Sequence, residues 1–153
     1  WGGVLADAEF KSFSLAYTQR VLSKIHKTFN GETIPSIVFT KGGGLWMSEM
    51  QSLDCNVLGM DWSVNLAKAR AQLGATHALQ GNLDPNVLFA SPEQVTEQAK
   101  AVLDSFGQPH QGDGKGPTHI FNLGHGISQF TPPENVAVLV EAVHSHSKAM
   151  RQK

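Results

Sequence analysis

The sequence predicts an α/β fold of parallel strands joined by helices, and three features lead there. Short apolar runs rich in β-branched residues alternate with stretches whose apolar residues recur at steps of three and four. The alternation occurs four times after one opening helix, and each apolar run gives way to glycine or polar residues where it ends. Strand, helix and strand in succession call for parallel pairing through right-handed crossovers. Two architectures use such units: an open doubly wound sheet, and an eight-unit barrel whose full length is typically about 250 residues. Four units amount to half a barrel.

The opening helix is read over residues 7–29, where Phe10, Phe13, Tyr17, Val21 and Ile25 fall on one helical face and Asn30-Gly31 stops the chain. Ile34-Pro35-Ser36-Ile37-Val38-Phe39 reads as a buried strand that breaks into Lys41-Gly42-Gly43-Gly44. Residues 45–53 suit a short helix, and Val57-Leu58-Gly59-Met60 a strand ending at Asp61-Trp62. Ser63 is the expected cap of a helix through Leu73, halted by Gly74. His77-Ala78-Leu79-Gln80 is a weaker strand that ends in Gly81-Asn82-Leu83-Asp84-Pro85. In Ser91-Pro92-Glu93-Gln94 a capping hydroxyl, a proline at the first helical position and a glutamine at the third mark a helix start. Val95, Ala99, Val102, Leu103 and Phe106 share one face of that helix, which Gly107 ends. Residues 108–117 have the polar, glycine-rich composition of a mobile surface loop. A last strand over residues 118–123 enters Gly124-His125-Gly126. Thr131-Pro132-Pro133-Glu134 repeats the capping pattern, and Val136, Leu139, Val140 and Val143 carry a closing helix towards Met150.

A length of 153 residues suits one domain with its own core. Twelve Lys+Arg against thirteen Asp+Glu, a net charge of −1, leave no electrostatic footprint for a phosphate backbone or an anionic membrane, so no nucleic acid and no membrane are expected as partners. Hydrophobic residues make up 41%, and no apolar run nears the length that crosses a bilayer, so a soluble chain is expected. Cys55 stands alone, which excludes an internal disulfide. Charged residues are only 16%, and the chain opens on Trp1-Gly2-Gly3 without Met, which together suggest a piece of something larger.

In both architectures chemistry gathers where strands end. The glycines at 42–44 read first as a tight strand-to-helix turn, with close ligand approach as the alternative. His125, flanked by glycines, is little shielded and suited to hydrogen bonding or proton transfer near neutral pH. Lys41 reads as the partner of a nearby carboxylate before an anionic substrate. Asp61 reads as a cap or a brace of a neighbouring loop, and Asn82, Asp84 and Asn122 as ties between loops. Trp46 and Trp62 are expected in the core, with a pocket wall as the other option. His144 and His146, two apart on a helix, diverge and cannot clasp one metal, and both are expected at the surface. Gly112-Asp113-Gly114-Lys115-Gly116 lacks the ending of a phosphate loop and precedes a strand. Cys55 also precedes a strand, at the end away from the exits, and no metal site is visible.

Taken as an ordered set, Trp1-Gly2-Gly3-Val4-Leu5, Phe39-Thr40-Lys41-Gly42-Gly43-Gly44, Gly59-Met60-Asp61-Trp62, Leu79-Gln80-Gly81-Asn82-Leu83-Asp84-Pro85 and Phe121-Asn122-Leu123-Gly124-His125-Gly126-Ile127 resemble the C-terminal half of the uroporphyrinogen decarboxylase family. The resemblance implies that residues 1–153 form one piece, the C-terminal half of a (β/α)8 TIM barrel, with strands five to eight and the helix that follows strand four. It implies a cytoplasmic, homodimeric enzyme of haem and porphyrin biosynthesis that needs no cofactor and removes the carboxyl groups of the four acetate side chains of uroporphyrinogen III to give coproporphyrinogen III. A protonated pyrrole ring would be the electron sink, and a carboxylate on the upstream half would stabilise the cation. Of the family's site residues only the histidine maps here, onto His125, to bind or orient a substrate carboxylate and assist proton movement. The piece by itself is expected to be inactive.

Two other functions compete. The related corrinoid-dependent methyltransferases hold zinc with His and Cys at strand exits, and His125 has no cysteine beside it. A non-catalytic doubly wound module for cobalamin or a nucleotide would match the length but lacks its usual glycine loop.

Overall fold

The computed structural model of the protein describes residues 2–108 and 118–152. The loop expected at 108–117, with its Gly112-Asp113-Gly114-Lys115-Gly116 run, falls outside the described residues except for Gln108, as does Trp1.

The opening helix runs as α1 (Asp7–Glu9), a π-helical segment (Phe10–Leu15) and α2 (Ala16–Leu22). It stops well before the expected position. Asn30-Gly31 is not a helix stop but the turn of a hairpin, pairing β1 (Thr28–Phe29) antiparallel with β2 (Glu32–Thr33). Both turn residues have positive φ, 50° at Asn30 and 84° at Gly31, as a two-residue primed turn requires, and Asn-Gly supplies that conformation best.

Four parallel strands follow: β3 (Ile37–Phe39), β4 (Val57–Gly59), β5 (Ala78–Leu83) and β6 (His119–Leu123). Their spatial order β3-β4-β5-β6 repeats their chain order. A doubly wound sheet reverses order at a switch point and carries helices on both faces; this sheet does neither, so the barrel arrangement holds. The register aligns Val38, Leu58, Leu79 and His119 in one row, and Phe39, Gly59, Gln80 and Ile120 in the next. From the first row, Leu58 and Leu79 are fully buried against Phe10, Trp46, Leu66, Leu73 and Phe106, with Val38 packed at the rim of the same cluster. On the opposite face Ile37, Phe39 and Ile120 remain 48%, 46% and 41% exposed. Parallel sheets are normally covered on both sides, and here one side is open.

The opening apolar stripe shares this fate. Phe10 is buried, but Phe13, Tyr17 and Val21 are exposed along a groove of about 690 Å³ that Ile37 and Phe39 also line.

The helices that seal the other face are α3 (Met47–Met50), entered through a 3-10 turn at Gly43–Trp46, α4 (Leu66–Leu73), α5 (Pro92–Phe106) and α6 (Pro133–Arg151). Asn65 caps α4, its side chain accepting from Lys68 N at 3.0 Å, whereas Ser63 is drawn away by Asp61. Ser91 caps α5 as read, and Val95, Ala99, Leu103 and Phe106 are buried. The capping pattern fails at α6. Its first residue is Pro133, which puts Pro132 in the cap position and leaves the Thr131 hydroxyl buried without a hydrogen bond. The buried face of α6 is Asn135, Leu139 and Ala142, with Val140 turned outward. Asn135 belongs inside because its amide donates to the carbonyls of Leu88 at 2.8 Å and Ala90 at 3.0 Å, which locks the turn after β5.

Candidate functional site

The strand exits converge on Asp61, at the end of β4. The residue is 3% exposed and braces its neighbours rather than capping a helix. One carboxylate oxygen accepts from Gly42 N in the β3 exit; the other accepts from Ser63 N at 2.9 Å and Ser63 Oγ at 2.5 Å. Gly42 can present its N–H this way because it sits at φ 74°, the left-handed region open to glycine. The Asp61 carbonyl accepts from Asn82 Nδ2 at 2.8 Å, and the same amide holds Val64 O at 2.7 Å, tying in the β5 exit. Burial pushes the Asp61 pKa up, but the hydrogen bonds from Ser63 Oγ, Gly42 N and Ser63 N, with the nearby charge of Lys41, outweigh it and hold the carboxyl below its ordinary value.

Asn82 thus ties loops as expected. Asp84 does so only locally, accepting from Asn86 N at 2.9 Å at the head of the next turn, and Asn122 accepts from the adjacent Leu123 N at 2.9 Å at the end of β6. Exposure and packing separate the two tryptophans. Trp46 is core, stacked on Phe10 at 4.1 Å with its indole N–H donating to Asp7. Trp62 is 38% exposed and walls an open cavity of about 340 Å³ with Gly3, Val4, Lys41, Gly42 and Asp61. The Lys41 Nζ lies 5.2 Å from the centre of its ring.

His125 follows β6, is exposed, and meets Trp62 edge to face with ring centres 6.1 Å apart. Gly124 sets that distance. A Cβ there would collide with the backbone nitrogen of Trp62, so only glycine lets the two loops close. Lys41, Trp62 and His125, at the exits of β3, β4 and β6, therefore form one continuous surface. Of the other histidines, His146 bonds Asp104 at 2.7 Å and His144 is exposed. Cys55 precedes β4 at the far end, and burial pushes its thiol pKa up.

One contributor carries no motif. His119 lies on the helix-facing side of β6, stacked on Phe106 at 4.6 Å, and donates from Nε2 to Gly81 O at 2.8 Å, next to the loop-tying Asn82. Burial lowers its pKa despite that hydrogen bond, so the unfolded chain binds its proton more readily than the folded one. Its contribution to stability is full above the ordinary histidine range and falls away as pH drops through it. We expect urea midpoints to decline from pH 7.5 to 5.5, and the decline to shrink in His119→Phe; an unchanged profile in the variant would remove His119 as a source.

Residues 1–146 match the family described as Uroporphyrinogen decarboxylase (URO-D). The chain belongs to the uroporphyrinogen decarboxylase family. It is 68% identical over 151 residues to the "Uroporphyrinogen decarboxylase" of Albidiferax ferrireducens, covering 99% of this chain and 41% of that protein. To the protein of the same name from Delftia acidovorans it is 65% identical over 160 residues, covering 100% of this chain and 43% of the relative. The chain thus spans about two fifths of the length of these curated decarboxylase relatives. Among solved structures, a methyltransferase from Methanosarcina mazei matches with a TM-score of 0.66 at 19% identity, covering 92% of this chain and 38% of that one; that likeness is one of fold. The motifs at 39–44, 59–62, 79–85 and 121–127 that carry the resemblance sit at the exits of β3 to β6, and the fold is α/β, corresponding to part of a barrel.

Proposed function

We propose that the complete protein carrying this chain decarboxylates the four acetate side chains of uroporphyrinogen III, yielding coproporphyrinogen III without a cofactor, and that residues 1–153 supply the C-terminal half-barrel as one piece. The carrying observation is the position of His125, exposed at the last exit and edge-on to Trp62, in a chain of this family. A proton added to a pyrrole ring lets that ring accept the electron pair as the carbon–carboxyl bond breaks and carbon dioxide leaves. A second proton then converts the methylene to methyl, and the ring gives up the first. His125 binds or orients a substrate carboxylate, for which an imidazole that can donate from a ring N–H is suited, and assists proton movement.

The family's homodimeric, cytoplasmic character belongs to the same reading. Among the described residues no helix is long and apolar enough to cross a membrane. The zinc-dependent methyltransferase alternative is less well supported: its likeness is of fold at 19% identity, and the chain's one cysteine, Cys55, lies at the opposite end of the sheet from His125.

Replacing His125 with Asn in the complete enzyme should lower kcat/KM by about 10- to 100-fold, the scale of a lost charge-assisted hydrogen bond, with the thermal midpoint unchanged. Unchanged turnover would take His125 out of the site.

A further inference from the structure

We propose that Trp62 is a positioning residue for His125, its indole holding the imidazole in the orientation that serves a substrate at the strand exits. This rests on the decarboxylase reading above, in which His125 touches the substrate; Trp62 acts through it. The two rings meet with centres 6.1 Å apart and planes at 88°, the edge-to-face arrangement that aromatic pairs prefer. Such a pair favours the rotamer that makes the contact by about 2- to 10-fold over one turned away. His125 is exposed, so burial does not confine its side chain, and the contacts of its ring decide its rotamer.

The indole can aim its neighbour because its own backbone is fixed. Asp61, just before it, is buried and accepts from Gly42 N, and Ser63, just after it, donates to the same carboxylate from N at 2.9 Å. The β6 exit is pressed onto this point: a Cβ at Gly124 would come within 2.4 Å of Trp62 N, and Gly124 N donates to Leu83 O at 2.8 Å. Just past His125 the packing opens, since a Cβ at Gly126 would meet nothing within 4 Å among the described residues. Backbone contacts therefore fix where the His125 side chain begins and leave its ring to be aimed by side chains. The Lys41 Nζ, 5.2 Å from the indole centre, steadies Trp62 in turn. This role accounts for a large aromatic ring left partly in water, where fuller burial would have stabilised the fold more.

The test is a double-mutant cycle in the complete decarboxylase, with Trp62→Leu, His125→Asn, the two combined, and Trp62→Phe, each assayed for kcat and KM on uroporphyrinogen III. Trp62→Leu should lower kcat/KM about 3- to 10-fold, divided between kcat and KM in the same proportion as in His125→Asn. Trp62→Phe, which keeps an aromatic ring against the imidazole, should recover most of that loss. In the His125→Asn background Trp62→Leu should cost less than about twofold, because a residue that acts through His125 has nothing left to act on. An undiminished effect in that background means that the indole meets substrate or supports the fold directly; it overturns the inference and leaves the reaction standing. Wild-type kcat/KM in Trp62→Leu, or a Phe variant as poor as the Leu variant, does the same. Wild-type turnover in His125→Asn overturns the reading of His125, and this inference with it.

Discussion

Replacing Asp61 with alanine should destabilise the protein by about 3 kcal/mol in urea unfolding, because two backbone donors in a buried setting lose their acceptor at a cost of roughly 1–3 kcal/mol each. The donors are Gly42 N and Ser63 N, and the carboxylate that serves them is 3% exposed. The damage should not stay local. Asp61 precedes Trp62, which carries the contacts to Lys41 and His125, so loosening the β3 and β4 exits displaces all three side chains. Asp61→Asn should recover only part of the loss, since an amide keeps one acceptor oxygen and turns a donor towards the remaining N–H. The folded-state pKa of Asp61 lies below its ordinary value, so its contribution is complete above the ordinary carboxylate range and is lost as pH falls through the lowered value. An alanine variant within about 0.5 kcal/mol of wild type, the scale of an ordinary surface change, would show that Asp61 does not brace the exits.

The chain of residues 1–153 assayed alone should release no measurable coproporphyrinogen, a loss complete within detection. The substrate carries eight carboxylates, and desolvating them requires cationic partners, with arginines the best matched. At the exits described here the cations are Lys41 and, when protonated, His125. The sheet compounds the shortage. Ile37, Phe39 and Ile120 face outward on its open side, β3 and β6 form its outer strands, and the apolar groove beside α2 is unfilled. Such surfaces favour self-association over an ordered pocket. Chromatography of the porphyrin products after incubation decides the matter, and light scattering should show species larger than one chain. Coproporphyrinogen made by the isolated chain above the enzyme-free background would sink the prediction.

Much of this molecule was legible without its structure, and the exceptions have a common cause. The parallel α/β alternation, the position of α5 with its Ser91 cap and Gly107 stop, and the location of His125 at a strand exit were all readable, because periodicity and turn chemistry are set by neighbours a few residues apart. Local signals also misled where two of them overlapped. Asn30-Gly31 satisfies a helix stop and a hairpin turn alike, and since the helix already ends at Leu22 the pair forms the hairpin, whose strand residues are exposed; Thr131 looks like a cap until Pro133 takes the first helical position.

Tertiary structure alone decided the rest. It put the strands in chain order, excluding a doubly wound sheet, and it exposed Trp62, which was expected in the core. It made Asp61 the brace between the β3 and β5 exits and brought Lys41, Trp62 and His125 together across 84 positions of chain, from 41 to 125. Residue types and spacings can say that a carboxylate stands at a strand exit. Which N–H groups it reaches depends on strand register and crossover geometry, and those emerge only when segments far apart in the chain pack against one another.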